Sequence, residues 1–155
     1  MLDIKPCLWF QSEAEEGANF YVSLFPNSKV SSVMRGGPGA PAIAVDFVLD
    51  GRSFMALNGR QAQGFTDAHS LVVTCESQAD IDRYWDAFTR GGEEGQCGWL
   101  KDRYGVSWQI VPRAMGALLG GSDPAASGRA MQAMLGMRKL DIAALERARR
   151  GEGSA

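Results

Sequence analysis

The order strand, helix, hairpin occurs twice in this 155-residue sequence. The apolar segment IKPCLWF opens the first copy and HSLVVTC opens the second, and each precedes a segment with apolar residues at helical spacing. Leu8 aligns with Leu71 and Tyr21 with Tyr84 at one constant offset, whereas the hairpins align at a smaller offset because the second copy is shorter before its hairpin. Such repetition restricts the fold to architectures built from two similar modules.

Capping and turn signals place the ends of the predicted elements. Ser12 is expected to cap the first helix, and Glu15, three residues later, completes a capping box. Asp50-Gly51 lies between two β-rich segments and predicts a two-residue hairpin turn, because both positions accept a positive φ. Asp123 and Asp141 stand where N-cap residues are favoured, so two further helices are predicted after the second copy.

These elements predict an α+β fold made of two β-α-β-β-β modules and a helical C-terminal extension. The first module covers residues 3–60, the second covers 68–112 with a curtailed second strand, and the C-terminal helices occupy 113–150. With 155 residues, 45% of them apolar, the chain is long enough for a single domain, 1–155, with a sizeable core.

Charge and composition exclude several classes of function. The 16 basic and 18 acidic residues are interspersed, which provides no basic surface for nucleic acid or for an anionic membrane. No apolar run reaches the roughly 18 residues that a membrane span needs, and the start MLDIKP has no basic or apolar signal segment. Three cysteines without a Cys-x-x-Cys pair indicate reduced thiols, so we expect a cytoplasmic protein.

Several longer segments resemble a known family. CLWFQSEAEEGANFYVSLFPNSKV, FMALNG, GGEEGQCGWLKDRYGVSWQIVP and AMQAMLGMRKLDIAALERA resemble, in this order, the PhnB-like branch of the vicinal-oxygen-chelate superfamily, which includes glyoxalases, bleomycin-resistance proteins and extradiol dioxygenases. The resemblance implies strands that curl into a cup for a small molecule and, in many members, a divalent metal. Some relatives are labelled demethylubiquinone methyltransferases, yet no glycine-rich loop follows a first strand in a doubly wound pattern here.

The resemblance also implies four metal-ligand positions, on the first and last strands of each module. In this sequence they fall on Pro6, Met55, His69 and Gln109. Proline offers no side-chain lone pair, methionine sulfur is soft and glutamine is uncharged, so this set does not suit zinc, magnesium or manganese. A shift of one residue would bring in Cys7 or Asn58 without supplying two histidines and a carboxylate. We therefore expect no metal and no other cofactor.

The candidate ligand-binding residues lie mainly on the strands that would form the cup. Strand alternation turns Ser107, Gln109 and Val111 toward the cup if Trp108 faces the helices. Gln109 either orients a ligand or bonds to a neighbouring strand or water, and Trp99 and Trp108 either stack on a planar ligand or belong to the core or an interface. The candidate set is Pro6, Phe10, Met55, Asn58, His69, Trp99, Trp108 and Gln109.

Other reactive side chains have structural interpretations. His69 is either a general base or a solvent-facing residue at a strand edge. Cys97 is either a nucleophile or a small buried residue, and Asp102 is expected to accept backbone N–H bonds in its turn. Met131, Met134 and Met137 recur at three-residue spacing and predict a packing stripe.

Three functions remain open at this point. The first is metal-free binding of a small apolar or aromatic molecule in a cup of strands. The second is a metal-dependent enzyme of glyoxalase or dioxygenase type that acts on a small carbonyl or phenolic substrate. The third is an interaction module that uses its C-terminal helices. A homodimer is expected in each case, because an open sheet leaves edges and apolar surface uncovered and relatives commonly pair.

Overall fold

Each half of the chain forms one four-stranded sheet with a helix in the structure, a computed structural model that describes residues 2, 4–60 and 64–152. The first half contains β1 (Cys7–Phe10), α1 (Ala14–Leu24), β2 (Lys29–Arg35), β3 (Ala42–Leu49) and β4 (Arg52–Asn58). The second half contains β5 (Leu71–Cys75), α2 (Gln78–Thr89), β6 (Glu93–Glu94), β7 (Trp99–Lys101) and β8 (Ser107–Pro112). Three helices follow, α3 (Met115–Leu119), α4 (Pro124–Leu135) and α5 (Ile142–Arg150).

The two sheets have the same strand order. The first is ordered β1-β4-β3-β2 and the second β5-β8-β7-β6. In both, the first and last strands of the module pair in parallel and the other pairs are antiparallel. The predicted α+β fold of two β-α-β-β-β modules with C-terminal helices is therefore confirmed, and the curtailed second strand of the second module is the two-residue β6.

The chain divides into two compact units, Met1–Gly64 and Phe65–Ala155, and the C-terminal helices belong to the second unit. The boundaries proposed for a single domain, 1–155, and for its modules stay predictions, and the range ends at residues 1, 3 and 155 lie outside the described residues. In the described part of the chain, no helix combines the length and the apolar character that crossing a membrane requires.

The strand register corrects the alignment of the two copies by two residues. Leu8 pairs with Ala56, whereas Val73 pairs with Ile110. If Ala56 matches Ile110, as the hairpin alignment has it, the residue that matches Leu8 is Val73 and not Leu71. The alignment from sequence was wrong here because a slip of two residues leaves the alternation of apolar residues along a strand unchanged.

Helix α1 begins differently from the prediction. Its N-cap residue is Glu13, not Ser12, and that residue makes no side-chain capping bond. The Ala14 N–H instead donates to Asn58 Oδ1 at 2.9 Å, from the end of β4. Asn58 Nδ2 donates to the carbonyl oxygen of Ala42 at 2.9 Å. One amide side chain thus joins the start of α1 to two strands.

The other predicted caps and the hairpin turn are confirmed. Asp123 accepts a bond from the N–H three residues on at 3.0 Å, and Asp141 does so at 2.8 Å. Ser77 caps α2 in the same way, at 3.2 Å. Asp50 and Gly51 have φ values of 44° and 78°, which is the left-handed geometry of a two-residue hairpin turn. These signals are local, so neighbouring residues suffice to read them.

Each sheet buries one face against the helix of its own module. In the first unit, Tyr21 on α1 packs with its ring centroid 6.3 Å from that of Phe47 on β3, and both are almost fully buried. In the second unit, Phe88 on α2 stacks on Trp108 with centroids 4.3 Å apart. Burying side chains of this size stabilises each module by roughly 1.5–3 kcal/mol per residue. The opposite side of each sheet, called here its helix-free face, carries the polar candidates.

Candidate functional site

A row of three side chains crosses the helix-free face of the second sheet. Trp99 on β7 lies opposite Gln109 on β8, and Gln109 lies opposite Val72 on β5. Residues directly opposite each other share a face of the sheet, so these three side chains are neighbours. Val72 is 56% exposed, and Trp99 and Gln109 are half-buried. An apolar, an amide and an aromatic side chain therefore stand next to one another on an accessible surface.

Gln109 has a fixed orientation within this row. Its Nε2 donates to Ser70 Oγ at 2.9 Å, just before β5 begins. This bond corresponds to the interpretation in which Gln109 bonds to a neighbouring strand segment. A ligand at this position would meet an amide that is already oriented, which lowers the entropy lost on binding.

A depression of about 540 Å³ lies beside Trp99 at the β6–β7 edge of the sheet. We call it the Trp99 depression; its lining includes Asp67, Glu93, Gln96, Cys97, Trp99 and Lys101. Gln109 is the cross-strand neighbour of Trp99 but does not itself line the depression. The volume of the Trp99 depression is within the range of small-molecule sites.

Three carboxylates, those of Asp67, Glu93 and Glu94, and the ammonium group of Lys101 line the Trp99 depression. Ser107 Oγ donates to Asp67 Oδ1 at 2.7 Å, and Lys101 Nζ lies 3.6 Å from the same oxygen. The Ser107 hydrogen bond first, and then Lys101, hold the pKa of Asp67 below its usual value. Glu93 lies opposite Lys101 in the β6–β7 ladder. The carboxylates outnumber the single cation, so the depression favours neutral or cationic groups over anionic ones.

The helix-free face of the first sheet has a different chemistry. Met55 is half-buried and pairs with Cys7 on one side and Asp46 on the other. Lys5 Nζ donates to Asp46 Oδ1 at 2.8 Å, and this bond, with one from a serine hydroxyl, lowers the pKa of Asp46. Pro6 contributes its backbone oxygen, which accepts from the Met55 N–H at 2.9 Å. This face holds a paired carboxylate and a thioether.

Three candidates have structural roles instead. Phe10 and Trp108 are each 2% exposed and lie on the helix-facing sides of their sheets, because strand alternation turns them away from their polar neighbours. Trp108 Nε1 donates to Asp102 Oδ2 at 2.9 Å, so its indole is a core group. Asn58 forms the cap of α1 described above. The structure shows packing or capping contacts for these three residues, and the ligand-binding role given to them from the sequence stays a prediction.

His69 lies outside the strand in which it was predicted. It is exposed, its backbone N–H donates to the Thr66 carbonyl oxygen at 3.4 Å, and β5 begins two residues later at Leu71. By the corrected alignment, Leu71 is the residue that matches Pro6. The equivalence of Pro6 with His69 was therefore wrong, since it depended on the alignment that was out by two residues.

The residues present do not fit the divalent metal that the fold family implies. Across residues 2, 4–60 and 64–152, no group of three or more His, Cys, Asp or Glu side chains is placed to hold a metal ion. At the four implied positions, Pro6 has no donor side chain, Met55 offers a soft sulfur and the Gln109 amide is bonded to Ser70.

The cysteines divide into one core residue and two that reach the surface. Burial raises the pKa of Cys75 to about 11, so its thiol is neutral at physiological pH. Cys7 is exposed on β1, and partial desolvation raises the pKa of its thiol as well. Cys97 is half-buried, lines the Trp99 depression and has a left-handed φ of 57°.

Sequence reasoning missed Lys101, Val72 and Asp67 at this site. Lys101 follows Trp99 by two residues on β7, so the same alternation that placed Gln109 would have placed Lys101 on this face. Val72 follows from the parallel pairing of β5 with β8, which depends on the register. Asp67 lies in the loop before β5 and approaches Ser107 only through the fold, so no local signal marks it.

A second groove, of about 750 Å³, lies between α4 and α5. Small residues form much of its wall, including Ala125, Gly128 and Ala148. Arg129 lines it, but its guanidinium donates to the carbonyl oxygens of Ala148 and Arg149 at 3.2 and 2.7 Å. This arginine caps the C-terminal end of α5, so its role in the groove is structural.

The repeated β-α-β-β-β module, with its first and last strands paired in parallel, is the fold that the resemblance to the vicinal-oxygen-chelate superfamily implied. The family described as 3-demethylubiquinone-9 3-methyltransferase matches residues 2–111. The chain belongs to this family.

Solved structures agree with this assignment. The PhnB protein from Bacillus cereus is 36% identical with a TM-score of 0.66, over 72% of this chain and 99% of that chain. A Pseudomonas aeruginosa protein is similar in fold, with 20% identity and a TM-score of 0.61 over 72% of this chain and 98% of that chain. The fold also resembles the fosfomycin resistance protein FosX from Listeria monocytogenes, solved with Mn(II) and sulfate, at 14% identity and a TM-score of 0.54 over 71% and 92% of the two chains. Among curated proteins, none matches the sequence.

Proposed function

We propose that this protein binds a small apolar or aromatic molecule in the Trp99 depression and needs no metal to do so. The observation that carries the proposal is the row of Trp99, Gln109 and Val72 on an accessible sheet face, beside a depression of about 540 Å³. An apolar wall with a few oriented polar groups is the usual composition of a small-molecule site.

The charged side chains that line the Trp99 depression restrict which ligands it can bind. A planar ring can stack on the indole of Trp99, and an amino group on the same ligand can approach that ring or the carboxylates of Asp67 and Glu93. Lys101 offsets part of this negative charge, so neutral aromatic molecules are accepted as well. A ligand with its own carboxylate is disfavoured, since it would meet the like charges of Asp67, Glu93 and Glu94.

Two activities suggested by relatives receive less support. The family description names a methyl transfer, which in a Rossmann-type enzyme uses a glycine-rich turn on a doubly wound parallel sheet. Both sheets of this chain are mixed, with the orders β1-β4-β3-β2 and β5-β8-β7-β6. FosX was solved with Mn(II), but the donor set of this chain does not fit such an ion.

We also propose that the protein acts as a homodimer. Apolar side chains remain accessible on the helix-free face of the first sheet, where Trp9 is 43% and Met34 62% exposed. A second copy that covers this face would remove that surface from water and leave the Trp99 depression open. Sedimentation velocity is expected to show a dimer for the natural sequence and a monomer for the Trp9→Glu/Met34→Glu double variant. A natural sequence that sediments as a monomer at high concentration would contradict this part of the proposal.

Ligand binding is tested with three probes of matched shape but different charge: phenethylamine, phenethyl alcohol and phenylacetate. We expect titrations followed by the indole N–H signals in NMR spectra to show binding of the first two and an affinity about tenfold lower for phenylacetate. Trp99→Ala is expected to weaken phenethylamine binding by about tenfold or more, whereas Trp99→Phe keeps an aromatic face and loses less. Met131→Ala, a partly exposed apolar position on α4, is the matched control and leaves binding unchanged.

Two outcomes would count against the binding function. Equal affinity of the natural sequence and Trp99→Ala would place the ligand elsewhere. Binding that disappears after treatment with a chelator and returns with added manganese or zinc would favour the metal-dependent alternative.

A further inference from the structure

The connection between α4 and α5, residues 136–141, packs against the turn that leads into Trp99. The Cys97 N–H donates to the carbonyl oxygen of Met137 and the Gly98 N–H to that of Arg138, both at 2.8 Å. Cys97 Sγ lies 3.6 Å from the carbonyl oxygen of Met134, at the end of α4. Two consecutive N–H groups of the turn are thus satisfied by one short segment that lies beyond the residues matched by the family.

The turn needs such support because its backbone is unusual. Cys97 and Gly98 have φ values of 57° and 84°, so two successive residues are left-handed. Glycine adopts this conformation freely, but a cysteine does so at a cost of about 1–2 kcal/mol. Strained residues of this kind persist where surrounding contacts over-determine them. Here the surrounding contacts include the hydrogen bonds to the α4–α5 connection.

The connection is itself anchored to the body of the second unit. Gln78 Nε2 donates to the carbonyl oxygen of Leu140 at 3.0 Å, and Gln78 Oε1 accepts from the Ile142 N–H at 2.9 Å. The Leu140 side chain is fully buried. Lys139 Nζ lies 3.1 Å from Asp82 Oδ1 on α2. The segment that holds the turn is therefore fixed to α2.

The Cys97-Gly98 turn also sets the position of Trp99. The Trp99 N–H donates to the Gln96 carbonyl oxygen at 3.0 Å, and the Trp99 carbonyl oxygen accepts from Gly95 at 2.9 Å. The Gly98 carbonyl oxygen accepts from the Ile110 N–H at 2.8 Å, next to Gln109. A change in the conformation of Cys97 or Gly98 would therefore move the indole.

We propose that the α4–α5 connection is a positioning element of the Trp99 depression: it holds the Cys97-Gly98 turn left-handed and so fixes Trp99 for its ligand. This inference rests on the proposed binding function and deepens it, since it assigns the C-terminal helices a role in that site. Gln78 is the positioning residue, because it anchors the connection without lining the depression.

Two glycines form a matched pair for the test. A Cβ at Gly98 would lie 2.7 Å from the Ile110 carbonyl oxygen and 3.0 Å from Leu140 Cδ1, so it would push the turn away from both β8 and the connection. Gly105 has a nearly equal φ of 85° but no heavy atom within 4 Å of its added Cβ. Gly98→Ala and Gly105→Ala thus introduce the same backbone strain, and only the first disturbs the contact with the connection.

The experiment uses the full chain with Gly98→Ala, Gln78→Met and Gly105→Ala. Amide hydrogen exchange at Cys97 and Gly98 and the indole N–H shift of Trp99 are measured without ligand, and phenethylamine affinity is measured separately. We expect Gly98→Ala and Gln78→Met to raise exchange at the two amides by about tenfold or more, to shift the Trp99 signal and to weaken the probe by about threefold or more. Gly105→Ala is expected to change the amide exchange rates and the phenethylamine affinity by less than about twofold and to leave the Trp99 indole N–H shift in place.

The outcomes separate the inference from the function on which it rests. Unchanged exchange and an unchanged Trp99 signal in Gly98→Ala and Gln78→Met would overturn the positioning role, whatever the probe does. If amide exchange at Cys97 and Gly98 changes in these variants but phenethylamine binds with unchanged affinity, the positioning role is also overturned, because the turn then moves without affecting the site. Absence of probe binding in the natural sequence refutes the binding function, and the ligand-free measurements then still decide whether the connection positions Trp99.

Discussion

Asp102→Ala is expected to lower the free energy of unfolding by about 3–5 kcal/mol. The carboxylate is 3% exposed and accepts three hydrogen bonds, from the N–H groups of Tyr104 at 2.9 Å and Val106 at 3.0 Å and from Trp108 Nε1 at 2.9 Å. Bonds to a charged acceptor contribute about 1.5–3 kcal/mol each, so three bonds at the low end of that range account for a loss of this size. Urea unfolding followed by circular dichroism measures the loss.

Asp102→Asn and Trp108→Phe separate the parts of this effect. Both backbone N–H groups donate to Oδ1 and the indole donates to Oδ2, so an asparagine keeps the first two bonds but opposes its NH2 group to the indole N–H. We expect Trp108→Phe to restore part of the stability lost in Asp102→Asn, a positive coupling of about 1 kcal/mol or more in the double-mutant cycle. A loss below about 1 kcal/mol for Asp102→Ala would refute the role given to this carboxylate.

Asn58→Ala is expected to lower the free energy of unfolding by about 1.5–3 kcal/mol. The variant removes the cap from the Ala14 N–H, which contributes about 0.5–2 kcal/mol, and the bond to the Ala42 carbonyl oxygen, which contributes about 1 kcal/mol. Ser12→Ala is the control and changes stability by less than about 0.5 kcal/mol, since Ser12 is exposed and Glu13 occupies the N-cap position.

Asn58→Asp tests which of the two bonds matters more. An aspartate still accepts from Ala14 and adds a negative charge near the N-terminal end of α1, which is favourable, but it cannot donate to Ala42. We expect it to retain more stability than Asn58→Ala in the same urea experiment. If Ser12→Ala were as damaging as Asn58→Ala, the capping box read from the sequence would be present after all.

The contrast between Ser12 and Asn58 shows which caps can be predicted from the sequence and which cannot. The hairpin at Asp50-Gly51 and the caps at Asp123 and Asp141 were predicted because the groups that form them lie within three residues of one another. The Asn58 cap was not predicted, since its partner is more than forty residues away in the chain. Capping by a residue from another element leaves no local pattern.

The candidate site was also predicted only in part. Alternation along β8 placed Gln109 and Trp108 on opposite faces, and the structure agrees. The position of His69 depended instead on counting residues between two copies of the module, and a slip of two residues misplaced it. Asp67 reaches the depression only because the loop before β5 lies beside Ser107, which no periodicity indicates.

The parallel pairing of first and last strands has a consequence for how the chain is made. Strand β1 pairs only with β4, so Cys7 has no ladder partner until Met55 has left the ribosome. The same holds for β5 and β8, because Val72 can pair with Gln109 only after Gln109 has been synthesised. Closing such long loops costs entropy before any contact compensates for it, so we expect the antiparallel hairpins to form first and the N-terminal strand of each module to join last. During synthesis, the first module can close before the second has left the ribosome, which leaves only one unpaired initial strand at risk of misassociation at a time.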